Sequence, residues 1–175
     1  VMGALLNFLP ADADLAPADS MAAVDRGLAS PRPRRCYICH EISSGRYYAY
    51  LWGETLRAYL SLVDVGHMLA TNLHADTWEQ ARHQICRDNQ LPEALFRRMN
   101  LIFFLSISRN GGAVQRRITE IWESDGRADH RPVFVDGRRE QPATASHLVT
   151  PDACAAAGDA IDRLLASGVR TIGEV

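Results

Sequence analysis

The chain has 175 residues, a length typical of one domain, and 47% of them are hydrophobic against 23% charged. The formal net charge of -2 gives no electrostatic reason to expect nucleic acid or an anionic membrane as a partner. The longest strongly apolar run, Leu101–Leu105, is far shorter than the ~20 residues of a transmembrane helix. All 19 basic residues are Arg, which excludes a catalytic Lys.

The first residues predict a short amphipathic helix. Its apolar side chains recur at helical spacing, at Met2, Leu5, Leu6 and Leu9. Pro10 would end this helix. The segment has no basic residue before its apolar part, and Asn7 interrupts that part. We therefore expect no signal peptide and predict a cytoplasmic protein.

Residues 10–34 contain half of the prolines in the chain, and Ala, Asp and Ser fill most of the remainder. This composition predicts a loop, because Pro interrupts both helices and strands. One short helix could lie within the loop, with apolar residues at Met21, Val24 and Leu28.

Strand and helix patterns alternate over the rest of the chain. The predicted strands are 35–42, 47–52, 67–72, 101–107, 114–122 and 131–135. The predicted helices are 54–63, 76–88, 92–99 and a last helix from Pro151, capped by Thr150, to Gly168. The sequence Asn110-Gly111-Gly112 predicts a tight turn. The pattern indicates an α/β fold with one main sheet, in which the apolar strand 101–107 is buried on both faces.

The segment Cys36-Tyr37-Ile38-Cys39-His40 has the spacing of a c-type haem attachment motif, and it could also supply part of a zinc site. Its flanking residues favour a strand, and no second pair of Cys or His ligands stands ready to complete a zinc site. We therefore favour two small cysteines buried in a sheet. A haem protein using Cys36, Cys39 and His40 is a remote alternative.

Glu54 follows a predicted apolar strand directly after Trp52-Gly53. A carboxylate at this place would lie at the carboxyl edge of the sheet, where α/β proteins bind ligands. It could act as a base or hold a metal-bound water. The alternative is a negative charge in the first turn of a helix, which the helix dipole favours.

His67 and His74 flank a short predicted strand, with Thr71 and Asn72 between them. Imidazoles at strand ends can contact phosphate or a polar substrate. Each could equally be a structural histidine.

Five segments of the chain occur in an order that suggests a family. They are the apolar helix Met2–Pro10, the acidic strand end Cys39–Ile42, Gly53-Glu54, the pair Gly66-His67 with Asn72–Ala75, and Arg116–Ile121. This order resembles the P-loop secretion ATPases, the superfamily of type II and type IV secretion and type IV pilus motors. In that family the corresponding segments are the helix after the P-loop, the Asp box, the end of the Walker B strand, the His box and an Arg-rich strand.

The resemblance implies a RecA-like P-loop NTPase core over residues 1–123, truncated at the N-terminus so that the first strand and the P-loop are absent. Residues 124–175 would add a strand, a loop and a helix to the same domain. It also implies ATP with Mg²⁺ as ligands, with hydrolysis driving assembly of a secretion or pilus machine. A hexameric ring and partner proteins of a membrane machine are implied as well.

The resemblance assigns roles to particular residues. Glu54 would orient the attacking water and help to hold Mg²⁺, and Glu41 would assist it. His67 and His74 would sense the γ-phosphate. Thr71 and Arg109 would contact the nucleotide. Arg109, Arg116 and Arg117 could also serve the ring interface, but we favour a solvated charged strand for these three residues.

The chain also departs from this family. It contains no Lys of a P-loop, and only 11 residues separate Glu54 from Gly66. Because phosphoryl transfer depends on positioned charges around the phosphates, turnover without a P-loop would be severely reduced. The sequence thus leaves open a divergent or truncated ATPase and, as the alternative, a catalytically inactive P-loop-type domain that serves as a binding or assembly module.

Overall fold

The computed structural model describes residues 2–6, 9–10, 12–30, 35–45, 47–110, 113–135 and 146–169. The chain forms two compact units, Val1–Arg98 and Met99–Val175. The predicted boundary after residue 123 falls inside the second unit. The mixed α/β class is confirmed, but one main sheet is wrong, because the described strands form three small sheets. No helix within the described ranges is both long and apolar enough to cross a membrane.

The first unit alternates short strands and helices. In chain order they are α1 (Met2–Leu6), β1 (Asp14–Pro17), α2 (Met21–Leu28), β2 (Arg35–Ile38), β3 (Glu41–Ile42), β4 (Tyr50–Leu51), α3 (Gly53–Ser61), β5 (Met68–Ala70), α4 (Trp78–His83) and α5 (Glu93–Arg97). A 3₁₀ turn, Leu62–Val65, continues α3, and a π-helical turn, Gln84–Asp88, continues α4.

The segment predicted as a loop, residues 10–34, contains β1, so the loop prediction is wrong over Asp14–Pro17, whereas the short helix expected within the loop is present as α2. Pro17 is the last residue of β1, which among the described strands pairs with β2 alone and lies at the edge of that sheet. An edge strand tolerates Pro because one side of it makes no ladder hydrogen bonds. Ser20 then caps α2 by accepting a hydrogen bond from the Ala23 N–H at 3.3 Å.

A parallel sheet organises the first unit, with β2 between β1 and β5. The pairing of β2 with β5 continues beyond the strand bounds. The Cys39 N–H donates to the Ala70 carbonyl, and the Ile42 N–H donates to the Asn72 carbonyl, both at 2.9 Å. β3 then pairs in parallel with β4. Residues 39–42 and 70–74 are thereby brought side by side at the carboxyl edge of the sheet.

The core of the first unit joins the sheet to α2 and α3. The hydroxyl of Tyr59, a fully buried residue of α3, lies 3.0 Å from the carbonyl oxygens of both Tyr37 and Ala70. It therefore bridges β2 and β5. Gly27 in α2 packs so closely that an added Cβ would lie 2.7 Å from both Leu62 Cδ2 and Tyr37 Cζ. Glycine is needed here for close approach rather than for an unusual backbone conformation.

The second unit is an antiparallel sheet followed by a helix. Its strands are β6 (Leu101–Asn110), β7 (Ala113–Glu123) and β8 (Arg131–Val135), in the order β6-β7-β8. The helix α6 spans Pro151–Ala166, and Thr150 caps it by accepting from the Ala153 N–H at 3.2 Å, as predicted. The predicted turn at Gly111-Gly112 lies outside the described residues.

The prediction that strand 101–107 is buried on both faces is wrong. Leu101, Leu105 and Ile107 are 48%, 52% and 67% exposed, whereas Phe104 is buried. β6 is an edge strand of an antiparallel sheet, and such sheets leave one face open to water. An apolar run therefore indicated the strand correctly without indicating what covers it.

Glu123 at the end of β7 anchors the segment before α6. Its carboxylate accepts hydrogen bonds from Ser146 Oγ at 2.6 Å and from the His147 N–H at 2.7 Å, and Arg131 lies 3.3 Å away. Burial opposes the charged form, but these donors outweigh it and hold the pKa of Glu123 below its ordinary value of 4.5. The charged form is therefore the one that stabilises the second unit.

We expect Gly27→Ala to destabilise the first unit by about 1–3 kcal/mol, because the new methyl group overlaps Tyr37 and Leu62. Urea unfolding followed by circular dichroism measures the change. The matched control is Gly158→Ala in α6, where a Cβ meets nothing within 4 Å and should stabilise by about 0.5–1 kcal/mol. Equal effects of the two substitutions would contradict the packing described for Gly27.

We expect Glu123→Gln to cost about 1–3 kcal/mol at neutral pH, because charge-assisted hydrogen bonds are lost. The folded pKa is lowered, so this stabilisation is present above the ordinary pKa of 4.5 and is lost as pH falls through the lower folded value. Unfolding free energies at a series of pH values should show this acid-induced loss in the parent chain and a smaller one in Glu123→Gln. Asp159→Asn on the exposed face of α6 is the control, and a parent-like pH dependence in Glu123→Gln would refute the anchor.

Candidate functional site at the carboxyl edge of the parallel sheet

Glu41 and His74 meet at the carboxyl edge of the parallel sheet. Glu41 lies just beyond β2 and His74 just beyond β5, and their Oε2 and Nε2 atoms are 3.3 Å apart. The Glu41 side chain is 12% exposed and the His74 side chain 88% exposed. A largely buried carboxylate thus contacts an imidazole that solvent, or a ligand in solution, can reach.

Tyr50 completes this arrangement from β4. The parallel pairing of β3 with β4 sets Tyr50 beside Glu41. Burial and the nearby negative charge of Glu41 raise the pKa of Tyr50. The Tyr50 ring also stacks on the His40 ring, with 5.9 Å between the ring centroids. We call Glu41, His74, Tyr50 and His40 the carboxyl-edge cluster.

Backbone pairing explains why the cluster forms. Asn72 Nδ2 donates to the His40 carbonyl at 3.0 Å, and Leu73 pairs with Ile42 through a parallel bridge. These contacts fix the residues after β5 against the residues after β2. Such a site needs no long loop, because neighbouring parallel strands end at one edge.

His67, predicted to act together with His74, lies elsewhere. It precedes β5 and is buried, with Nε2 3.1 Å from the Gly27 carbonyl oxygen and its ring edge-on to Tyr37 at 5.0 Å. A strand rises about 3.3 Å per residue, so the two histidines lie on the order of 20 Å apart. The structure therefore does not bring them to one phosphate, and it gives His67 the role of a core histidine.

Glu54, predicted to be the principal catalytic carboxylate, is an exposed residue in the first turn of α3. The turn before it is fixed by Gly53, whose N–H donates to Asn89 Oδ1 at 2.7 Å and whose φ of 59° favours glycine. This position matches the alternative of a helix-terminal charge. Neither a hydrogen bond nor an ion pair holds the Glu54 carboxylate within the described part of the chain.

Thr71 and Arg109, predicted to contact the nucleotide, belong to different units. The Thr71 hydroxyl lies 3.2 Å from the Asn72 carbonyl oxygen, next to the carboxyl-edge cluster. Arg109 is exposed on β6 in the second unit. Thr71 thus contacts the backbone segment that leads to His74 of the cluster.

The cysteines show why the Cys-x-x-Cys-His spacing does not form a cofactor site here. Cys36 and Cys39 are 2% and 0% exposed, and burial raises the pKa of both thiols. Both side chains belong to the core, whereas His40 turns outward to stack on Tyr50. No group of three or more His, Cys, Asp or Glu side chains in the described ranges could hold a metal ion. The arrangement agrees with the favoured interpretation of two buried cysteines and argues against haem attachment.

Tyr50 is the residue of the cluster that the sequence did not single out. The aromatic stretch 47–52 predicts a strand, and only the two residues of β4 form one. The sequence feature that pointed to this part of the site was Glu41, which follows an apolar strand just as Glu54 does. Recognising Tyr50 required the β3–β4 pairing.

A search with models of protein families finds no match to this chain, and a search of curated proteins finds no significant relative. The geometry of the carboxyl-edge cluster therefore carries the functional argument.

We expect only Cys154 to react quickly with a thiol reagent in the folded protein. The thiolate is the reactive form, and burial raises the pKa of Cys86 to about 12 while also raising those of Cys36 and Cys39. All four cysteines should react once the chain is unfolded in urea. Counting reactive thiols by absorbance tests this, with Cys154→Ser as the control that should lack the fast phase. A fast reaction of three or more thiols in the folded chain would contradict the burial of Cys36 and Cys39.

Proposed function

We propose that this chain is a divergent ATPase related to the secretion and pilus motor ATPases, and that it binds ATP with Mg²⁺ at the carboxyl-edge cluster. The observation that supports the proposal is the contact between Glu41 and His74 at the carboxyl edge of a parallel sheet. Ligands of open α/β folds bind at this edge. The RecA-like core and the position of the nucleotide are part of the proposal.

Glu41 is the residue that we propose as the general base. A carboxylate positioned by neighbours can orient a water molecule and accept its proton, an effect worth about 10²–10⁴ in rate. The pairing of β3 with β4 sets Tyr50 beside Glu41, and His74 Nε2 lies 3.3 Å from the Glu41 carboxylate. Glu41 thereby takes the role that the resemblance assigns to Glu54.

His74 is the residue that we propose as the phosphate contact. Its imidazole is exposed while it touches Glu41, so an anionic group could approach it from solvent. Binding of a phosphate near His74 would change the environment of Glu41 directly. This coupling agrees with the γ-phosphate sensing implied by the resemblance, with His74 acting in place of the His67 and His74 pair.

Glu41 offers a magnesium site one carboxylate. Mg²⁺ at nucleotide sites is usually held by one or two carboxylates together with substrate phosphates and water. Within the described residues Glu41 is the carboxylate of the cluster. As a general base it would hold the ion through a bound water molecule, and phosphates and water would be the direct ligands. Mg²⁺ bound there would shield the phosphate charge from Glu41, and the chain's own contribution would be to hold that carboxylate in place.

The alternative function is a binding or assembly module without turnover. Its specific support is the exposed apolar surface of the second unit, where Ile107 is 67% and Leu105 52% exposed. Exposed apolar patches of this kind often mark protein interfaces. The ring assembly and the machine partners implied by the resemblance stay predictions.

Titration calorimetry with Mg-ATP and a phosphate-release assay test the proposal together. We expect His74→Ala to weaken ATP binding about 10-fold, because one phosphate contact is lost. We expect Glu41→Gln to reduce phosphate release at least about 100-fold while binding persists, because the general base is lost.

The matched control is Glu54→Gln, an isosteric change of a carboxylate outside the cluster, which should alter neither quantity. The absence of binding at about 1 mM ATP would overturn the nucleotide proposal. Binding with no phosphate release in the parent chain would instead favour the inactive module. Equal losses in Glu41→Gln and Glu54→Gln would reject the assignment of the base.

A further inference from the structure

The half of the β6–β7 hairpin that is nearest to its turn carries an apolar and basic surface. Ile107 pairs with Arg116 and Arg109 pairs with Val114, and directly opposed residues share one face of a sheet. Leu105 lies on the same face because side chains alternate along a strand. Leu105, Ile107 and Val114 are 52%, 67% and 47% exposed. We call Leu105, Ile107, Arg109, Val114 and Arg116 the hairpin face.

The opposite side of the same hairpin is polar. Its residues are Ser106, Ser108, Gln115 and Arg117. Apolar side chains are thus confined to one side of an arm that is exposed to solvent, and no acidic residue occurs between 105 and 118. A one-sided apolar surface with positive charges is suited to an amphipathic, acidic partner.

The helix α6 has the complementary character. None of its described residues is buried. Ile161 and Leu165 are 48% and 55% exposed, and together with Ala157 they follow helical i, i+4 spacing on one side. Asp162 lies beside this stripe, about 100° around the helix from Ile161. The helix contains three Asp and one Arg, but Asp152 and Asp159 lie on the side opposite the stripe, so Asp162 is the acidic residue of α6 that can meet the basic hairpin face.

We propose that the hairpin face binds α6 of a second copy of this chain, and that two copies exchange these contacts in a two-fold dimer. Within one copy both surfaces are exposed, although both belong to the second unit. A two-fold axis that places α6 of each copy on the hairpin of the other covers all four surfaces at once. Asp162 of one copy would then face Arg109 or Arg116 of the other.

The size of these surfaces sets the expected affinity. A helix of 16 residues is about 24 Å long, and two reciprocal helix–hairpin contacts would bury on the order of 1,000 Å² in total. This area is at the lower limit for specific interfaces. We therefore expect a dimer with a micromolar dissociation constant, which sedimentation at several protein concentrations measures.

Ile107→Asp in the full chain is the first test. We expect it to raise the dimer dissociation constant at least about 100-fold, because each dimer loses two buried Ile side chains. Ser108→Asp is the matched control, since it adds the same charge one residue away on the polar face. Far-ultraviolet circular dichroism verifies that both variants keep their fold.

Mixing two defective variants distinguishes this interface from others. Ile107→Asp has an intact helix, and Ile161→Asp has an intact hairpin, so each alone should be monomeric. Their mixture retains one helix–hairpin contact without a substitution, so at high concentration it should associate more strongly than either variant by itself. A direct hairpin–hairpin contact predicts a different result, in which Ile161→Asp still dimerises by itself.

Charge reversal tests the orientation of the contact. We expect Arg109→Glu with Arg116→Glu to weaken the dimer about 10-fold, and Asp162→Arg in the same chain to restore part of the loss. A parent chain that stays monomeric at about 500 μM would overturn the proposal, as would dimerisation unaffected by Ile107→Asp. Binding of the parent monomer to anionic lipid vesicles, lost in Ile107→Asp, would assign the hairpin face to a membrane instead. None of these outcomes depends on nucleotide binding.

Discussion

The close approach of α2 to the parallel sheet is the constraint on which the first unit depends. Gly27 leaves room for the ring of Tyr37, and its carbonyl oxygen meets His67 Nε2 at 3.1 Å. On the same core, the Tyr59 hydroxyl bridges the carbonyl groups of Tyr37 and Ala70. These contacts fix the position of β2 beside β5 and the register in which the two strands pair. The residues that follow the two strands are consequently held side by side.

The candidate site is a direct product of that register. Glu41 and His74 are 33 positions apart in the sequence, yet parallel pairing of the strands before them brings their side chains to 3.3 Å. Tyr50 joins them through the pairing of β3 with β4. The site therefore combines a carboxylate buried in the scaffold with an imidazole open to solvent. This combination suits a group that must receive a proton beside a charged ligand.

The two units present different chemistry. The first buries most of β2 and places polar groups at one sheet edge, whereas the second leaves apolar side chains exposed on β6 and on α6. An apolar side chain that is half exposed on a strand still has apolar surface in contact with water, and burying that surface is favourable. The hairpin and the helix thus retain hydrophobic free energy that association can release. A protein with nucleotide chemistry in one unit and association in the other would be consistent with the assembly function implied by the resemblance.

Local sequence determined the mixed α/β class, most of the strands and the last helix, because capping by Thr150, the strand pattern at 131–135 and the apolar periodicities act within a few residues. It did not determine burial. Leu101–Ile107 reads as a buried central strand, but only the sheet order shows that β6 is an edge. The same limit applies to the site: the sequence identified Glu41, Glu54, His67 and His74 as candidates. Strand register, a long-range property, decided that Glu41 and His74 meet while His67 enters the core.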